Sequence, residues 1–75
     1  MKLFKNRAEK LKEKKRQKEI EELRRDINNL EMEMKQNEVN FNLITDEYLL
    51  DSVIYEHNAQ TAKMNYLLRE AKKIN

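Results

Sequence analysis

Apolar residues in the first half of the chain recur at Ile20, Leu23, Ile27, Leu30 and Met34, in alternating steps of three and four. On a helix that spacing gathers them into one stripe, the a and d positions of a coiled-coil seam. The count continues downstream through Asn37, Phe41 and Ile44, and upstream it lands on Arg16 and Glu13. The seam therefore stops near Ile20, while helix-forming Lys, Glu, Gln and Arg continue toward the N-terminus. In the second half, Leu50, Val53, His57, Gln60, Met64, Leu67, Ala71 and Ile74 follow the same alternation. Two long amphipathic helices are predicted.

Between them lies QNEVNFNLITDEYLLDSV, residues 36–53, without Gly or Pro to mark a turn. Asn37, Asn40 and Asn42 weaken helix propensity, and Asn takes the left-handed conformation that closes a helix more readily than other non-glycine residues. Thr45 is then placed to cap a second helix, with Asp46 and Glu47 in its first turn and Ile44 and Leu49 spaced as a hydrophobic staple. The expectation is an all-α, antiparallel, coiled-coil-like two-helix hairpin with helices at about 3–41 and 46–73. One continuous helix is the alternative. A turn near Thr45 pairs residues whose numbers sum to about 91, setting Phe41 against Leu50, Met34 against His57, Ile27 against Met64 and Leu23 against Leu67. The same register brings Glu22 near Arg69 and Glu19 near Lys72, opposite charges in both cases.

A further stripe, Tyr48, Tyr55, Ala59, Ala62 and Tyr66, lies roughly 150° around the second helix from its seam at 100° per residue. It faces away from the first helix. Met32, Val39 and Leu43 repeat the pattern on the back of the first. Because a hairpin buries only one face of each helix, these stripes make self-association into a four-helix bundle, or docking on another protein helix, the expected use of the surface. Tyrosines and alanines scattered without role are the plain alternative.

Charge divides the chain. Residues 1–18 carry nine basic and two acidic side chains, a net +7, residues 19–56 carry eleven acids against three bases, a net −8, and residues 57–75 carry a net +3. This partition sets a basic helical overhang, 1–18, before the hairpin, 19–75. Lys2, Lys5, Arg7, Lys10, Lys12, Lys14, Lys15, Arg16 and Lys18 are the candidate contacts to an anion or to nucleic-acid phosphates. Leu3, Phe4, Ala8 and Leu11 add a thin apolar stripe, so an anionic membrane surface is a second reading, and a solvated basic helix a third. With 75 residues and no Cys, the chain holds one small domain without disulfides. No apolar run reaches the roughly 18 residues of a membrane span and the start lacks a signal-peptide core, so a cytoplasmic protein is expected.

At NFNLITDEYLLDSVIYEHNAQTAKMNYLLREAKK, residues 40–73, the chain resembles the YaaL-like family. The motifs that carry the resemblance are the Asn-Phe-Asn-Leu turn, Thr45-Asp46, Tyr55-Glu56 and the Tyr-Leu-Leu-Arg-Glu-Ala-Lys-Lys ending from Tyr66 to Lys73. The resemblance implies a short, uncharacterised protein of Gram-positive, often spore-forming bacteria, encoded near a recombination mediator and sporulation-related genes, with no known activity. His57 and Gln60 depart from the pattern, which has apolar residues there.

His57, the one histidine, falls on the seam opposite Met34 with Gln60 and Asn37 close by. A polar layer that fixes register is the plain reading, and a pH-linked or metal-linked role the other. A carboxylate-bridged di-metal bundle needs Glu-x-x-His, but Ile54 stands three residues before His57. Without Cys, Gly or a second His, nucleophilic catalysis and phosphate-loop binding have no residues to use. The sequence thus predicts a non-enzymatic helical-hairpin interaction protein, with no cofactor, metal or small-molecule substrate. Its partner is a second copy or another protein helix. A nucleic-acid-binding accessory protein is the alternative.

Overall fold

A computed structural model describes residues 7–74. The chain forms two helices, α1 over Arg7–Leu43 and α2 over Glu47–Ile74, packed antiparallel along their lengths as a hairpin. The predicted fold class holds, with α1 running two residues further than expected; the expected start at residue 3 lies outside the described residues.

The core is a single file. Leu30 and Asn37 on α1, and Val53, Gln60 and Leu67 on α2, are the buried residues, each seven after the last on its own helix. One seam member of each heptad faces the partner helix, buried in these five and half-covered at Leu23 and Ile74 toward the open end, whereas the other sits to one side of the contact line. Ile20, Ile27 and Met34 on α1, with Leu50, Met64 and Ala71 on α2, are those half-covered members. All of them lie to the same side of the contact line, so one flank of the hairpin is more apolar than the other.

Phe41 and His57 were expected to face Leu50 and Met34 across the seam, and both are exposed instead, Phe41 at 45%. Phe41 continues the half-covered file of Ile20, Ile27 and Met34, and His57 that of Leu50, Met64 and Ala71, so both stand beside the contact line that Leu30 and Asn37 hold on α1 and Val53 and Gln60 on α2.

The turn differs from expectation in its chemistry. No residue among those described has a positive φ, so Asn40 and Asn42 do not close α1 in a left-handed conformation. They are part of α1, where Gln36 Nε2 donates to Asn40 Oδ1 at 3.1 Å and the Ile44 amide donates to the Asn40 carbonyl at 3.1 Å. Ile44, Thr45 and Asp46 alone reverse the chain.

Asp46, not Thr45, caps α2. Its Oδ1 accepts from the backbone amides of both Tyr48 and Leu49 at 3.0 Å, and its carbonyl accepts the first intrahelical bond from Leu50 at 2.9 Å. A carboxylate satisfies the orphan amides better than a hydroxyl because it also carries the negative charge that the helix N-terminus favours. With the cap moved by one residue, Ile44 and Leu49 no longer hold staple positions, and Leu49 is exposed.

At the other end, Arg16 Nη2 of α1 donates to the Ile74 carbonyl at 2.6 Å, a charge-assisted bond on the negative end of α2's dipole. The expected Glu22–Arg69 and Glu19–Lys72 pairs do not form; the described residues pair Lys73 with Glu70 at 3.0 Å, and Arg69 stands 5.8 Å over the Tyr66 ring. Exposed pairs gain too little to fix long side chains across a gap.

The cap assignment gives a direct test. Asp46→Ala costs about 1 kcal/mol of stability, read as a lower urea midpoint, whereas Thr45→Ala leaves the midpoint within error.

Candidate interaction surfaces

The surfaces follow from the single-file core. In its tip half stands a polar layer, where Asn37 Nδ2 donates to Gln60 Oε1 at 3.3 Å and to the Val53 carbonyl at 3.4 Å. Asn37 is 4% exposed, and its Oδ1 accepts no hydrogen bond. An unpaired buried acceptor costs about 1–3 kcal/mol, so the layer lowers the stability of the hairpin. The expected polar layer is thus built from Asn37 and Gln60, with His57 outside it.

His57 lies on the apolar flank. Toward the tip, Met34, Asn37, Phe41, Val53, Ile54 and His57 line a groove of about 590 Å³, with Glu38 and Asn42 at its rim. Toward the open end, Ile20, Leu23, Ile27, Ala71 and Ile74 line a smaller one of about 230 Å³ beside Arg24 and Asn28. On α1 the rim residues Arg24, Asn28, Glu38 and Asn42 fall on one side at 100° per residue, which puts both grooves on the same flank.

The opposite flank is acidic and polar. Glu19, Glu22 and Asp26 of α1 converge with Glu70 of α2 around Leu23 and Leu67, with Tyr66 at the edge. Closer to the tip the row continues through Glu33 and Glu56 beside Gln36, Asn40 and Gln60. No group of three or more His, Cys, Asp or Glu among the described residues is placed to hold a metal ion.

On the outer face of α2, Tyr48, Tyr55 and Tyr66 are 83%, 75% and 52% exposed, with Ala59 and Ala62 exposed between them. Met32, Val39 and Leu43 are likewise exposed on the back of α1. Of the basic residues, Lys2 and Lys5 lie outside the described residues. Arg7, Lys10, Lys12, Lys14, Lys15 and Lys18 are exposed along the first turns of α1, and Arg16 among them is engaged with Ile74. No helix among the described residues is long and apolar enough to cross a membrane.

Periodicity in the sequence directs attention to the tyrosine stripe and misses the apolar flank. Its signal was nonetheless present as a second alternation of four and three through Leu50, Ile54, His57, Thr61, Met64 and Leu68.

A family model described as a protein of unknown function, DUF2508, matches residues 3–75. The chain belongs to the DUF2508 family. That match bears out the expectation of a small uncharacterised family and covers nearly the full length of the chain. The matched residues span both helices of the hairpin. Neither a curated protein nor a solved structure matches the chain.

The polar layer of this DUF2508 chain yields a contrast between two substitutions. Gln60→Ala leaves Asn37 Nδ2 short of an acceptor and lowers stability by about 1–3 kcal/mol. The double change Asn37→Leu with Gln60→Leu removes both polar groups and leaves the hairpin at least as stable as the parent, judged by thermal melts at one protein concentration.

Proposed function

We propose that this chain is a small, non-enzymatic interaction module that docks on another protein helix through the outer face of α2. The observation that carries the reading is the row of Tyr48, Tyr55 and Tyr66, exposed on a helix whose other face is already committed to α1. Tyrosine combines a large apolar ring with a polar tip and few rotatable bonds, so it contributes contact area at low entropic cost, and it is enriched at interfaces. Ala59 and Ala62 between the rings leave room for a partner backbone to approach. Catalysis has no comparable support, because the sequence offers a single His and neither Cys nor Gly. The expected solution behaviour is that of a cytoplasmic protein that works by binding.

Capture from a lysate of the native host tests this reading. A tyrosine at the centre of an interface contributes about 2 kcal/mol or more, so Tyr55→Ser with Tyr66→Ser lowers affinity for the captured protein at least ~100-fold without loss of helicity. Equal capture by the parent and this variant rules the tyrosine face out.

A second reading is favoured by the basic start of α1, which is helical and exposed before the seam begins at Ile20. Its cations suit a phosphate backbone, and Lys72 and Lys73 at the end of α2 lie at the same pole. Changing Lys10, Lys12, Lys14 and Lys15 to Gln, with Arg16 kept as the cap on α2, abolishes binding to duplex DNA or RNA if this segment is the contact. Parent binding then weakens by roughly 0.9 log units per phosphate contact for each tenfold rise in salt. Binding that survives the neutralised lysines excludes the segment.

A further inference from the structure

The apolar surface of α2 extends past the seam that faces α1. Beyond the half-covered Leu50, Met64 and Ala71, the surface of α2 continues into Ile54 and Leu68, which are 41% and 46% exposed, with Thr61 midway between them. Together with His57 these residues recur in steps of four and three, which forms a second seam rotated from the one facing α1. A helix with two adjacent seams is the element of a bundle in which each helix has two neighbours. The matching positions on α1 are Arg24, Glu31 and Glu38, so the second seam belongs to α2 alone.

Charge selects the occupant and its direction. The first turns of α2 hold Glu47 and Asp51, and its end holds Arg69, Lys72 and Lys73. A second α2 laid parallel would set like charges together, whereas an antiparallel one sets acid against base and opposes the two helix dipoles. We propose that two copies of the chain associate through antiparallel α2 flanks about a two-fold axis near Thr61 to Lys63.

In that register Ile54 packs against the partner's Ala71, His57 against the partner's Leu68, and Thr61 against the partner's Met64. Asp51 stands opposite the partner's Lys72 at the edge of the seam. Each contact occurs twice, as a two-fold interface requires. The overlap is nearly the full length of α2, because its midpoint coincides closely with the axis. It also runs the basic start of α1 alongside the acidic tip of the second copy. The tyrosine stripe remains on the outside, so this inference shares with the proposed function only the premise that α2 is a binding helix.

Sedimentation equilibrium of the full chain across the micromolar range is the test, with circular dichroism confirming that each variant stays helical. The parent sediments as a dimer, and Ile54→Gln with Leu68→Gln gives a monomer. Both residues are partly exposed in the hairpin, so its core is untouched. Asp51→Lys weakens the dimer at least tenfold, and adding Lys72→Glu restores it, which only the antiparallel register explains. Tyr55→Ser with Tyr66→Ser leaves the dimer intact, which separates this contact from the proposed partner face. A monomeric parent, a dimer that ignores the Ile54 and Leu68 changes, a charge swap that fails to restore, or dissociation by the tyrosine changes overturns the proposal.

Discussion

In this pair of helices only one residue in seven is fully covered on each member, and the rest of the structure depends on that narrow contact line. Leu30, Val53 and Leu67 are the apolar residues that meet it, and Asn37 and Gln60 occupy the other covered positions. With so narrow a contact line, register has few apolar contacts to define it. Placing a hydrogen-bonded amide pair in that line penalises any slip, since a shifted register would bury amides without partners.

The same narrowness creates the surfaces. Residues that miss the contact line do not disappear into a core but form a flank, and their side is set by helix geometry alone. One flank gathers Ile20, Ile27, Met34, Met64 and Ala71, and the other gathers Glu19, Glu22, Asp26 and Glu70. A larger bundle would hide this difference inside itself. Here it remains outside, so the hairpin has distinct sides despite having only two elements.

Much of the architecture is legible in the sequence because heptad spacing states the two stripes and their helices directly, while the antiparallel arrangement rests on reading a turn between them, with one continuous helix as the alternative. What the count does not separate is the two files within each stripe. Phe41 and His57 belong to the file beside the contact line, so they are on the stripe by spacing yet exposed in space. The cap was misplaced for a different reason. Thr45 and Asp46 both suit the first position of a helix, and backbone geometry decided for the carboxylate. Asn40 and Asn42 illustrate the override of propensity by context, since packing of α1 against α2 carries the helix through residues that disfavour it in isolation. The candidate surfaces were legible in part: the tyrosine stripe stands out by spacing, while the apolar flank shares residues with the seam and is masked by it.

Both ends of α2 are tied by side chains, Asp46 at its start and Arg16 at its close. A helix held in this way resists fraying and keeps a fixed length, which turns its outer face into a ruler. Tyr55 and Tyr66 stand about 16.5 Å apart along it at 1.5 Å per residue. Under the proposed docking on the tyrosine face, that spacing sets the separation at which a partner receives the two rings.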